Sequence, residues 1–131
     1  MPFALRALDE PLAIVRLPAA AEIPAWAQGS EHFRSITRTP TELSIVCSDA
    51  AVPAHVTEER GWRALVVEGT LDLNQVGVLE ELAGPLAAAE VPIYVISTYE
   101  TDYVLVPSES LETATEALER AGHSVAGTQG G

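Results

Sequence analysis

The order of apolar periodicities between residues 65 and 125 constrains this chain more than any other feature. Leu65, Val66 and Val67 form a compact apolar run that ends at Gly69 and reads as a strand. Val76, Leu79, Leu82, Ala83 and Leu86 then recur at helical spacing, which predicts an amphipathic helix over about 75–89 with Asn74 as its N-cap. Pro92 introduces a strand over 93–98, and a second strand over 103–106 follows the polar tip Ser97-Thr98-Tyr99-Glu100-Thr101-Asp102. Ser108 caps a second helix with Glu109 and Glu112 in its first turn, Gly122 ends it, and 123–125 forms a short last strand. The order β-α-β-β-α-β is that of a ferredoxin-like split βαβ unit.

The first half repeats the second at a fixed offset of 60 residues, which aligns Thr41 with Thr101, Val46 with Val106 and Ser48 with Ser108. Ile36 falls on Ile96, and Glu59-Arg60 on Glu119-Arg120. The first copy is abbreviated. Its first helix shrinks to the Pro-flanked IPAWAQ, and its second must fit between Pro53 and Gly61. The strand over 62–68 closes the first copy and opens the second. The expected architecture is α+β: two fused ferredoxin-like units with antiparallel sheets and helices on one face. The expected organisation is 1–61 as a degenerate unit, 62–126 as a complete one, and 127–131 as a Gly-rich tail.

A chain of 131 residues with a net charge of −12 lacks the clustered basic residues that phosphate backbones require, so nucleic acid is not an expected partner. Its basic residues are all Arg; the absence of Lys excludes Schiff-base chemistry and a P-loop lysine. Cys47 is the single cysteine, sits in the apolar run LSIVC and reads as an inert core thiol. The first residues lack the pattern of a signal peptide, and no apolar run approaches a membrane span. A cytoplasmic protein without membrane attachment is expected.

Catalysis finds little support. His32, His55 and His123 are scattered, without metal-ligand spacing or a paired nucleophile, and His32 and His123 read as solvent-facing. No cofactor, metal or enzymatic role is expected.

Binding is better served. In a split βαβ unit the loop over 69–77 runs from the first strand into the N-terminus of the first helix, whose free N–H groups seat a carboxylate. Ser97, Thr98 and Thr101 supply hydroxyls, and Asp102 a negative charge for an ammonium or guanidinium. A helix end for a carboxylate and a carboxylate for a cation describe a site for a zwitterionic amino acid. Each residue also has a plainer reading: Asp102 as a solvated turn residue, Asn74 as a cap, Gly77 as a packing glycine and Tyr99 as a strand-end aromatic.

Residues 62–125, through VVEG, NQVGVLEELAGPLAAAEVPIYVIST and DYVLVP, resemble an ACT domain, and the N-terminal half resembles its partner ACT-like domain. The whole chain is similar to the stand-alone bacterial relatives of the cytosolic arginine sensor of animals, and to the regulatory ACT pair of aspartate kinases. The IST-x-x-x-D-x-x-LVP pattern at 96–107 is the most specific part. The resemblance implies a non-catalytic, allosteric amino-acid sensor with its ligand held at an ACT–ACT interface. Asn74, Gln75, Val76 and Gly77 would hold the amino-acid backbone, and Ile96, Ser97, Thr98 and Tyr99 would line the site. Asp102 occupies the position that receives the cationic side chain in the arginine sensor. That sensor carries two ACT pairs, so here a homodimer would supply the second surface; arginine, lysine or another amino acid remain open as ligand, and the downstream partner is unassigned. Two other readings stand beside this one: a small dimeric ferredoxin-like enzyme, and an interaction module without a ligand.

Overall fold

The computed structural model describes residues 2–56, 59–71 and 76–127. Its elements are β1 (Ala4–Ala7), β2 (Leu12–Leu17), β3 (Ser35–Arg38), β4 (Leu43–Ser48), β5 (Glu59–Val67), α1 (Val78–Ala88), β6 (Tyr94–Ser97), β7 (Asp102–Pro107), α2 (Leu111–Arg120) and β8 (Ser124–Ala126). The fold is the mixed α+β type expected, with few helices and an open, mainly antiparallel sheet. Two compact units are present, Glu10–Trp62 and the residues up to Asp9 together with those from Arg63 onward.

In Glu10–Trp62 the strand order is β3-β4-β2 followed by the start of β5, with antiparallel pairing throughout. Leu43, Ile45 and Cys47 alternate along β4 onto one face and pack with Ala13, Val15, Ala27 and Val52. Among the described residues the expected second helix of this unit does not appear. A single 3₁₀ turn, Asp49–Ala51, stands in its place, and β5 already begins at Glu59. The Arg60 guanidinium compensates for the missing helix by donating to the carbonyls of Asp49, Val52, Pro53 and Val56. The Asp49 carboxylate accepts from Arg60 at 2.7 Å and from the Gly61 N–H at 2.9 Å. The loop's polar backbone is thereby satisfied without helical bonds.

In the other unit the order is β6-β7-β5-β1-β8. A ferredoxin-like unit places its last strand beside its first. Here β1 takes that place, antiparallel to β5, and β8 pairs outside it, parallel to β1. Residues 4–7, read from sequence as part of the N-terminal unit, therefore complete the sheet of the C-terminal one. Leu5, Leu65, Val67, Val104 and Val106 pack against Leu82 and Leu86 of α1 and Leu111, Ala114 and Leu118 of α2.

α1 starts three positions later than the periodicity predicts, at Val78, and its N-cap is Gly77 rather than Asn74. Gly77 has φ of 85°, a left-handed value that no helical turn contains and that L side chains rarely adopt, so the helix cannot extend back through it. α2 is preceded by a 3₁₀ turn at Ser108–Ser110, and Ser110 rather than Ser108 is its N-cap. It ends as expected at Gly122: the His123 N–H returns to the Leu118 carbonyl and the Gly122 N–H to that of Glu119.

The internal repeat is present in the hairpins, but its true offset is 59. Ser35 and Leu43 open β3 and β4 where Tyr94 and Asp102 open β6 and β7. An offset of 60 would put residues of one strand face on those of the opposite face, because a strand's faces alternate with period two. At 59, Ile45 and Cys47 fall on Val104 and Val106, core on core.

His123 is the largest departure from expectation. It is 6% exposed, not solvent-facing, and stacks on Phe3 with ring centroids 5.7 Å apart. Nδ1 accepts from the Phe3 N–H at 3.0 Å, and Nε2 then donates to the Glu81 carbonyl at 3.2 Å. Pro85 inside α1 has no N–H with which to make the usual helical bond to that carbonyl.

Candidate functional site

The site forms where the β6–β7 hairpin tip meets the start of α1. Ser97 and Asp102 face each other as the last directly paired residues of β6 and β7. Between them the Thr98 N–H and hydroxyl both donate to the Thr101 carbonyl, at 2.8 and 3.1 Å, and the Thr101 N–H returns to the Thr98 hydroxyl at 3.3 Å. These bonds close the turn without Gly or Pro, which is why the sequence shows no ordinary turn signal.

Two further bonds hold the tip in place. The Thr101 hydroxyl, 9% exposed, donates to the Val67 carbonyl at the end of β5 at 2.6 Å. The Leu71 N–H donates to the Glu100 carbonyl at 2.6 Å, which ties the loop leaving β5 to the same tip.

The result is a cleft of about 270 Å³ lined by Leu71, Gly77, Val78, Leu79, Ser97, Thr98, Tyr99, Glu100, Thr101 and Asp102. This is slightly below the roughly 300 Å³ at which small-molecule pockets begin, which suits a ligand of amino-acid size rather than a nucleotide. One wall is the start of α1, whose first N–H groups have no intrahelical acceptor and, among the described residues, no side-chain cap. The opposite wall carries the Asp102 carboxylate, held by the Ser97 hydroxyl at 2.6 Å, with the carboxylate-bearing Glu100 beside it. No basic side chain lines the cleft among the described residues.

Six of the residues singled out from sequence meet here: Gly77, Ser97, Thr98, Tyr99, Thr101 and Asp102. Val76, 92% exposed, and Ile96, half-buried on β6 opposite Tyr103, are not among the lining residues. Asn74 and Gln75 lie outside the described residues. Sequence reasoning missed Leu71 and Glu100, which hold the site together through backbone groups that carry no side-chain signature.

A family model for the ACT domain matches residues 57–120. The chain carries an ACT domain. A second model, for an N-terminal domain, matches residues 10–55, inside the Glu10–Trp62 unit. Protein Atu0741 from Agobacterium tumefaciens is 38% identical in sequence, with 95% of this chain and 92% of that chain covered and a TM-score of 0.88. At that identity and coverage the two proteins belong to one family. The human cytosolic arginine sensor for mTORC1 subunit 1 is 38% identical over 60 residues, 45% of this chain. The match spans 18% of the sensor's length, so it is a likeness of one segment to a much longer protein. The ligand-free regulatory subunit of aspartate kinase from Thermus thermophilus superposes with a TM-score of 0.57 at 13% identity, over 92% of this chain and 94% of that one. That likeness is one of fold. The ACT domain here shares its fold with the regulatory subunit of aspartate kinase and a matching segment with the cytosolic arginine sensor. Among the described residues no helix is long and apolar enough to cross a membrane.

Proposed function

We propose that the protein is a non-catalytic regulatory sensor that binds a free amino acid in the cleft between the α1 start and the β6–β7 tip. The observation that carries the reading is the cleft itself, which brings the start of α1 and the Ser97-held Asp102 carboxylate to one lining. The helix start receives the α-carboxylate. Asp102 receives a cationic side chain or the α-ammonium, so arginine and lysine head the candidates. Asn74, Gln75, Val76 and Ile96 complete the set assigned from the ACT resemblance.

The cleft is open, and Tyr99, Leu79 and Val76 expose apolar surface around it. A second copy of the chain covers this surface and closes the ligand into an ACT–ACT interface, making the active form a homodimer. Ligand binding then acts allosterically, raising the dimer population by its differential affinity and no more, and a downstream protein partner reads the change. The protein works in the cytoplasm without cofactor, nucleic acid or membrane; the cytosolic arginine sensor, which carries the matching segment, supports that placement.

Thermal-shift screening against the twenty amino acids tests the reading. A ligand at 100 times its dissociation constant stabilises the folded state by about 2.7 kcal/mol. A rise in melting temperature with a cationic amino acid, lost in Asp102→Ala, is the expected result. No shift with any of the twenty would favour an interaction module without a ligand, and an undiminished shift in Asp102→Ala would remove Asp102 from the site.

A further inference from the structure

The hairpins β3–β4 and β6–β7 are the same structural object at the 59-residue offset. Thr39 closes its turn as Thr98 does: the Thr39 N–H donates to the Glu42 carbonyl at 2.8 Å, the Thr39 hydroxyl donates to that carbonyl at 3.4 Å, and the Glu42 N–H returns to the Thr39 hydroxyl at 3.1 Å. Against this shared frame, two differences stand out. The position of Asp102 is held by Leu43, fully buried, so the N-terminal unit has no carboxylate there. The position of Ser97 is held by Arg38.

Arg38 reaches from the hairpin to the loop that leaves β2. Its Nη1 donates to the Ala19 carbonyl, and its Nη2 to the Ala21 carbonyl at 2.8 Å. That loop corresponds to the one leaving β5, which forms the edge of the cleft in the other unit. A second guanidinium repeats the theme. The Thr41 carbonyl, which corresponds to that of Glu100, accepts from Arg16 Nη2 at 3.0 Å, whereas the Glu100 carbonyl accepts from a backbone N–H. Side-chain cations therefore tie the hairpin to the neighbouring loop and strand in one unit where the other has an open cleft.

We propose that the Glu10–Trp62 unit retains a guanidinium seat, formed by the Ala19 and Ala21 carbonyls, that is filled from within by Arg38. A guanidinium carries five donors in a planar fork, so two carbonyls two residues apart in one turn suit it better than they suit an ammonium. The chain's strong net negative charge favours retaining a cation there. On the sensor reading above, this leaves each chain with one ligand-taking cleft rather than two; the self-filled seat itself does not depend on that reading.

The test is amide NMR of the full chain, titrated with guanidinium chloride well below denaturing concentrations and with ammonium chloride at matched ionic strength. The proteins are wild type, Arg38→Ala and Arg38→Ser, the last placing the Ser97-equivalent residue at this position. Saturable shifts at Ala19 and Ala21 in both variants, with guanidinium but not ammonium and absent from wild type, are expected. A folded variant without such shifts, or equal shifts in wild type, would overturn the proposal. So would unfolding of both variants, which would make Arg38 a structural strut instead. Shifts at 97–102 report separately on the other cleft, so failure of the sensor reading is distinguishable.

Discussion

The Ser97 hydroxyl donates to the Asp102 carboxylate at 2.6 Å from the directly paired position on the neighbouring strand. Ser97 thus acts through Asp102, by fixing where the carboxylate points. A hydrogen bond to a charged group is worth about 1.5–3 kcal/mol, and the lower figure applies at this largely exposed pair. Ser97→Ala should weaken binding of a cationic amino acid by roughly tenfold while leaving the melting temperature of the free protein nearly unchanged. Calorimetric titration checks the first and thermal unfolding the second, and an unaltered dissociation constant would leave Asp102 oriented by other means.

Thr101 faces the cleft, yet its hydroxyl is already committed to the Val67 carbonyl. It positions the tip rather than offering a free donor to a ligand. Thr101→Val removes the donor and leaves a buried carbonyl unsatisfied, at a cost of about 1–3 kcal/mol. Thr101→Ser keeps the donor and should retain most of that stability. Urea unfolding of the two variants separates the outcomes; equal losses would attribute the effect to the methyl group instead.

Periodicity made the β-α-β-β-α-β order legible, and with it the meeting of the 97–102 tip with the helix start, because a split βαβ topology puts those ends together whatever the side chains. What stayed hidden was carried by backbone. The partners of β1 depend on edge hydrogen bonds between residues 4–7 and distant strands, which a four-residue alternating segment does not encode. Gly77 reads as an awkward helical residue until its positive φ shows that it is the boundary. His123 looked exposed because it follows a helix-ending glycine. The available clue was Pro85, which removes a donor from its helix and so demands one from elsewhere.

Burial pushes the Cys47 thiol up from its ordinary value, aided by the negative charges of Glu10 and Asp49 and opposed by Arg60. The folded state therefore holds the thiol proton more tightly than the unfolded chain. The associated stability is fully present below the unfolded thiol's pKa of about 8.5 and is lost as pH rises through the folded value. The melting temperature should fall in alkaline buffer, with a shallower fall in Cys47→Ala. A thiol reagent should label native Cys47 no faster than the protein opens.

The end of α1 offers a stabilising substitution. Glu90 has φ of 61°, its N–H returns to the Ala87 carbonyl, and the Val91 N–H returns to that of Leu86. This is the same termination that α2 makes with Gly122, but with a side chain in the left-handed position. A non-glycine residue there costs about 1 kcal/mol, so Glu90→Gly should gain somewhat less than that after the added freedom of the unfolded chain is subtracted. A raised urea midpoint with unchanged slope confirms it, and a lowered midpoint would mean that the Glu90 side chain contributes more than its backbone strain costs.

His123 and Pro85 should be energetically coupled although their side chains serve different elements. His123 ties the Phe3 N–H, at the head of β1, to the Glu81 carbonyl, to which Pro85 cannot return the usual helical N–H. His123→Ala removes both bonds, so a loss of about 1–3 kcal/mol is expected. Pro85→Ala supplies an N–H that closes the helical bond to Glu81. In that background His123→Ala deprives the carbonyl of nothing essential, and its cost should shrink by about 1 kcal/mol. Urea unfolding of wild type, both single variants and the double variant measures the interaction. Additivity to within about 0.3 kcal/mol would show that the histidine's bond to α1 contributes nothing beyond its bond to β1 and its packing on Phe3.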